Sequence, residues 1–143
     1  MNPIQVFVYG TLKPGEINYQ RYCKGKVVEE QRAIAWGQLY NLPLGYPAMT
    51  PGESQVHGSL LTFADSVILS ALDELEDYNP NHRPEENEYN RQQIEIYDLA
   101  SQSLGLAWAY FMTSEQVQRF QGVLIPSGWW SGSLVDQWNI GKE

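Results

Sequence analysis

Only one stretch of this chain has the period of an α-helix that buries one face. In DSVILSALDELEDY, residues 65–78, the apolar side chains Ile68, Ala71, Leu72 and Leu75 fall at i, i+3, i+4 and i+7. That spacing makes a single stripe along a cylinder, and Asp65 or Ser66 supplies an oxygen to cap the first turn. Most of the remaining apolar sequence alternates with period two. A chain built this way makes its core from strands and lays one main helix against them, which predicts an α+β fold with a mixed sheet or a small barrel.

The strands can be placed in order. IQVFVYG sets Ile4, Val6 and Val8 against Gln5, Phe7 and Tyr9, apolar on both faces, so a central strand is predicted. AIAWGQLYNL alternates and is rich in aromatics, and Gly37 within it marks a bulge or a close backbone approach. LPLGYPAMTPG reads as a loop or a short hairpin, and QVHGSLLTF as another strand. YNRQQIEIYDL and SLGLAWAYFM form a predicted β-hairpin that turns near Ser-Gln-Ser. EINYQRYCKG reads as a short helix before Gly25, SEQVQRFQG as one or two helical turns, and NPNHRPEENE as a polar loop. Residues 1–143 read as one domain, with a Trp-rich tail from about residue 126 that carries Trp129, Trp130 and Trp138. The tail is too rich in Gly and Ser for a regular element, yet its indoles must pack somewhere.

Charge narrows the partners. The net charge of −8 repels phosphate backbones and anionic lipid, so neither nucleic acid nor membrane is expected to bind. No apolar run approaches the roughly 20 residues of a membrane span. The N-terminus lacks a basic region followed by a long apolar one, so a cytoplasmic protein is expected. Cys23 is the single cysteine, which rules out an internal disulfide and any CxxC motif. His57 and His82 sit in no nucleophile or metal-ligand pattern, so neither a triad nor a metal site is expected.

Two places remain for chemistry. LDELEDY carries Asp73, Glu74, Glu76 and Asp77. At about 100° per residue, Asp73 and Asp77 point roughly 150–170° away from the stripe, Glu74 about 110° and Glu76 about 90°. Glu76 is therefore the acid nearest the buried side, where desolvation would raise its pKa toward that of a general acid/base. The plainer reading, a solvated acidic face with Glu76 at its boundary, stays open from geometry alone. The other place is VYGTLKPG. A strand ends there in Gly10, Thr11 and a Pro-Gly turn, leaving backbone amides with little side chain over them. Such amides suit an anion or a carbonyl, although Gly10 and Thr11 also suit an ordinary tight turn. Neither GxxxxGK[ST] nor GxGxxG is present, so nucleotide binding is not expected. Tyr40, Tyr46, Tyr89, Tyr97 and Tyr110 lie in or beside strands, mostly as packing.

In their order, VYGTLKPG, GQLYNLPLGYPAM, VHGSLLTF, LDELEDY, EYNRQQIEIY and AWAYF resemble the gamma-glutamylcyclotransferase-like superfamily. The nearest branch is that of gamma-glutamylamine cyclotransferase and the plant avirulence-induced-gene proteins. The resemblance covers nearly the whole chain. It implies a small mixed-strand barrel with a cavity floored by the YGTL loop. It also implies an enzyme that turns a gamma-glutamyl amide into 5-oxoproline and a free amine, by attack of the substrate's own α-amine on its γ-carbonyl. Matched motif to motif, the family's catalytic glutamate falls on Glu76, and its substrate loop on Tyr9, Gly10, Thr11 and Leu12. The only partner implied is a small gamma-glutamyl compound, taken by a monomer or weak homodimer without metal or cofactor. The alternative is a binding module of the same fold that holds a gamma-glutamyl or carboxylate compound without turning it over. One departure stands out: where the family often has glycine after the glutamate, this chain has Asp77, which the helix phase sends outward.

Overall fold

The computed structural model describes residues 3–132. Ten elements follow one another: β1 (Ile4–Val8), a wide helical turn (Tyr19–Cys23), β2 (Val27–Asn41), β3 (Pro47–Phe63), α1 (Ile68–Leu75), a 3₁₀ turn (Pro84–Glu86), β4 (Asn90–Tyr97), β5 (Ser103–Phe111), α2 (Ser114–Arg119) and the short β6 (Val123–Leu124). The strands lie in the order β3-β1-β5-β4-β2-β6, and β3 also pairs with β2. Five strands therefore close into a ring, with β6 extending it from β2. Only the β1–β5 pairing is parallel; the others are antiparallel. This is the mixed α+β sheet that the pattern of elements predicts.

β1 is central, as its two apolar faces require. Phe7 and Tyr9 pack inside the ring among Ala33, Ala35, Leu39, Val56, Ile96, Ala107 and Ala109. Small residues on the surrounding strands leave room for the two rings. Val6 and Val8 face the other way and pack with Ile68 and Leu72 of α1. The helix thus covers the outside of the ring at the strand whose end opens into the YGTL loop.

Two strands run longer than their patterns predict. β2 begins at Val27 rather than near Ala33; its first residues are mostly exposed and charged, so no apolar alternation announces them. They are held by the ladder to β3, from Val27 opposite Phe63 to Arg32 opposite Ser59. β3 begins at Pro47, inside the stretch read as loop or hairpin. Gly37 faces Ser54 while Gln38 faces Thr50, so Pro51, Gly52 and Glu53 bulge out of register. A bulge tolerates a proline that has no N–H to give the ladder. Gly37 meets both expectations, since a Cβ there would lie 2.7 Å from the Thr50 carbonyl oxygen.

α1 is shorter than its periodicity. It stops at Leu75 with Glu76 as its cap, and Asp77 takes the left-handed conformation (φ 56°). Tyr78 N–H donates to the Asp73 carbonyl at 2.9 Å and Asp77 N–H to that of Glu74 at 3.3 Å, the paired bonds of a Schellman ending. At the other end, Asp65 Oδ1 accepts from Val67 N–H at 2.8 Å and caps the entering turn. α2 starts as Thr-x-x-Gln sequences do, with Thr113 and Gln116 side chains each accepting from the other's backbone N–H.

The described part of the tail, to residue 132, packs within the chain. Ile125 N–H donates to the Leu39 carbonyl and His57 N–H to that of Gly128, each at 2.8 Å. Trp130 is buried and its indole N–H donates to Asn41 Oδ1 at 3.0 Å. Trp138 lies outside the described residues. Among those described, no helix is long and apolar enough to cross a membrane.

Candidate active site

A cavity of about 170 Å³ opens where β1 ends. Its wall includes all five residues singled out from the sequence: Tyr9, Gly10, Thr11 and Leu12 from the loop, and Glu76 from the end of α1. Tyr46, Glu88, Tyr89, Tyr110 and Asn18 join them there.

The loop is folded so that its amides stay uncommitted. Lys13 N–H donates to the Gly10 carbonyl at 3.0 Å, and the Thr11 carbonyl accepts from both Asn18 N–H (2.9 Å) and Tyr19 N–H (3.2 Å). Asn18 Nδ2 also donates to Thr11 Oγ1 at 2.9 Å. The carbonyls and the hydroxyl are thus engaged inside the loop. Among the described residues, by contrast, the N–H groups of Gly10, Thr11 and Leu12 donate to nothing. Buried amides are nearly always paired, so three in a row beside a cavity suit an anionic or carbonyl ligand. Gly10 is required by space rather than by φ: a Cβ there would sit 2.6 Å from Pro47 Cγ.

Tyrosines shape the rest of the wall, and their hydroxyls are spoken for. Tyr9 donates to the Tyr110 carbonyl at 2.6 Å and accepts from Met49 N–H at 3.2 Å, so it braces β1 against β5 and β3. Tyr89 donates to the Pro47 carbonyl at 2.6 Å, and Tyr46 to Glu88 Oε2 at 2.6 Å. Tyr110 donates to Asp73 Oδ1 at 2.7 Å. Burial is the chief reason that all four phenols are pushed well above the usual tyrosine range, which keeps them neutral hydrogen-bonding groups.

The four acids of α1 part company here. Glu74 and Asp77 are exposed, as helix phase predicts. Asp73 is not: contrary to the outward direction predicted for it, it takes the Tyr110 hydroxyl and forms an ion pair with Arg91 Nε at 3.0 Å. Helix phase alone misplaced Asp73 because the β4–β5 hairpin packs on this flank of α1. Arg91 completes the contact by lying over Trp108, 4.5 Å from the ring centroid. Glu76 is on the cavity, and among the described residues its carboxyl makes no hydrogen bond. Burial first, and the Glu88 charge second, push its pKa up to about 8.

Behind the loop, on the side away from the cavity, lies a buried cation. Lys13 is 1% exposed; its Nζ donates to the Trp130 carbonyl and sits 3.6 Å from the Trp129 ring centroid. Arg32 stacks over Trp129 as well, 4.4 Å from the centroid. Burial lowers the Lys13 pKa to about 8. Nothing local in KPG announces this, since the tryptophans come from the far end of the chain.

Glu88, Asn18, Tyr46, Tyr89 and Tyr110 were not singled out as site residues by sequence reasoning. Glu88 had a partial signal as the last acid of the polar loop, next to the strand pattern. Asn18 had none.

A family model described as "Gamma-glutamyl cyclotransferase, AIG2-like" matches residues 6–132. The chain belongs to that family. A candidate gamma-glutamylcyclotransferase of Vibrio cholerae is 33% identical over 125 residues, 87% of this chain and 93% of that protein. The gamma-L-glutamyl-butirosin B gamma-glutamyl cyclotransferase of Niallia circulans is 29% identical over 106 residues, 73% of this chain and 65% of that one. In fold, this gamma-glutamyl cyclotransferase family member is similar to the mouse AIG2-like protein, with TM-score 0.68 at 20% identity, covering 92% of this chain and 90% of that one. It is also similar to the Escherichia coli protein ytfP, with TM-score 0.54 at 31% identity over 89% of this chain and 96% of that one.

Proposed function

We propose that this cavity cyclises a gamma-glutamyl amide to 5-oxoproline and releases a free amine. The observation that carries the reading is that one cavity is lined both by Glu76, whose half-buried carboxyl has no hydrogen-bond partner among the described residues, and by Gly10, Thr11 and Leu12, whose amides have none there either. The amides take the substrate's α-carboxylate or the oxyanion that develops on its γ-carbonyl. Nucleophile and electrophile belong to one molecule, so much of the work is to fold it into a near-attack shape. Glu76 as carboxylate accepts a proton from the α-ammonium. The freed amine attacks the γ-carbonyl, a C–N bond closes the five-membered ring, and the original amide C–N bond breaks. Attack leaves the ring nitrogen with one further surplus proton. Glu76 delivers its first proton to the leaving nitrogen as the amide bond breaks, then takes this second one and passes it to the released amine. One gamma-glutamyl amide with its α-ammonium thus gives one 5-oxoproline and one ammonium. A carboxyl with pKa about 8 suits both halves of that transfer near neutral pH.

The test is a panel of gamma-glutamyl amines and amino acids, with 5-oxoproline followed by mass spectrometry. Turnover of at least one compound, lost in Glu76→Gln, supports the proposal. Full rate in that variant would sink it. Ligand-induced thermal shifts without product across the panel would point instead to the non-catalytic binding module.

A further inference from the structure

The polar loop from Asn79 to Asn87 is closed at its neck by two backbone bonds. Glu88 N–H donates to the Asp77 carbonyl and Tyr89 N–H to the Glu76 carbonyl, each at 3.3 Å. Buried Asn87 locks the loop from within. Its Oδ1 accepts from Asn79 N–H at 3.1 Å, its Nδ2 donates to Asn90 Oδ1 at 2.9 Å, and its carbonyl accepts from Gln116 Nε2 at 2.6 Å. Glu85 and Glu86 of this loop turn outward to Arg83. Glu88 instead lines the cavity with the Tyr46 hydroxyl on its carboxylate. It is thus tied by backbone to the residues that carry the proposed acid/base, and its side chain is fixed by a phenol that stands just before β3.

We propose that Glu88 is a positioning residue for the site: a negative charge, held by Tyr46 and tied through the backbone to Glu76, that governs when Glu76 carries its proton. The groups facing Glu76 from the surrounding elements leave Glu88 this part. Tyr9 comes from the end of β1, Tyr46 from before β3, Tyr89 from before β4 and Tyr110 from β5, and all four phenols stay neutral. Asp73 and Arg91 lie behind Tyr110 as an ion pair and do not line the cavity. Lys13 is turned to the tryptophans. Among the described residues, Glu76 and Glu88 are the two charged residues lining the cavity.

The chemical consequence is a better-matched base. A carboxyl at its ordinary pKa would take a proton from an α-ammonium only far uphill, and a like charge on the same wall narrows that gap. Glu88 in this way serves the rate without touching the reacting atoms. Its catalytic meaning rests on the proposed cyclisation; its effect on Glu76 does not.

The experiment is therefore a titration. In full-length protein labelled with ¹³C-carboxyl glutamate, the Glu76 resonance is identified by its absence in Glu76→Gln and followed against pH without substrate. In Glu88→Gln, and likewise in Glu88→Ala, its midpoint should fall by about one pH unit, while Glu88→Asp, which keeps the charge, should stay closer to the parent. On any compound the parent turns over, Glu88→Gln should move the acid limb of kcat/KM to lower pH by the same amount and reduce the plateau several-fold. An unmoved Glu76 midpoint in whichever neutral variant folds overturns the inference. A moved midpoint with no turnover by any protein leaves the inference standing and removes the cyclisation reading instead.

Discussion

The loop after β1 and the end of α1 each take a charged side chain out of water, and they treat it in opposite ways. Lys13 is given a carbonyl, an aromatic face and complete cover. Glu76 is given a cavity, neutral phenols and a second carboxylate, and among the described residues its carboxyl has no hydrogen-bond partner. A buried charge with partners holds structure together; one without them is poised to exchange a proton. The backbone shows the same division, since the Gly10 and Thr11 carbonyls are bonded while, among the described residues, the N–H groups of Gly10, Thr11 and Leu12 are not.

The largest expected effect is on the helix end. Glu76→Gln should lower the rate of 5-oxoproline release by about 10²–10⁴, the range of a general acid/base contribution, while leaving the fold intact by circular dichroism. Retained activity would erase the contrast with Lys13. Next comes the loop. A side chain at Gly10 must push Pro47, whose ring would lie 2.6 Å from the new Cβ. Gly10→Val should therefore weaken substrate binding by roughly 10²-fold, as a displacement of about 1 Å does, measured by calorimetry in a Glu76→Gln background. Equal binding with and without the valine would show that the amides are not the ligand site.

Lys13→Met tests the structural half. It strands the Trp130 carbonyl, so it should cost about 1 kcal/mol in urea unfolding above pH 8, where the folded state no longer holds a buried cation, with kcat little changed. The two charges should also leave opposite marks on stability against pH. Glu76 rises from 4.5 unfolded to about 8 folded, so the folded state binds more protons between those values. Its contribution to stability is present below pH 4.5 and lost as pH rises to about 8. Lys13 falls from 10.5 to about 8, so its contribution is present above 10.5 and lost as pH falls to about 8. Glu76→Gln should flatten the first window and Lys13→Met the second, each read as the difference from the parent.

The smallest effect belongs to Asp77, which holds the left-handed position at the Schellman ending. Asp77→Gly should stabilise the protein by about 1 kcal/mol without altering turnover, because the side chain is exposed and away from the cavity. A change in rate would mean that Asp77 contributes to the field at Glu76.

Much of this was legible in the sequence where a residue's environment is set by its own element. The two apolar faces of Ile4–Tyr9, the stripe of α1, the Thr-Ser-Glu-Gln start of α2 and the space demanded at Gly37 are local facts, carried by period and by steric shape. The ranking of Glu76 above Glu74 and Asp77 came from helix phase, and the uncovered amides from the lack of side chains in YGTL. Tertiary structure alone decided what lies opposite. Asp73 pairs with Arg91 because a hairpin far along the chain packs on that flank of the helix. Lys13 is buried because Trp129 and Trp130 return across β2 and β3. Glu88 enters the cavity because Asn87 locks a loop neck against the end of α1. Periodicity tells which side of an element is covered, but partners brought together by ring closure share no local pattern, and they set the electrostatics of the site.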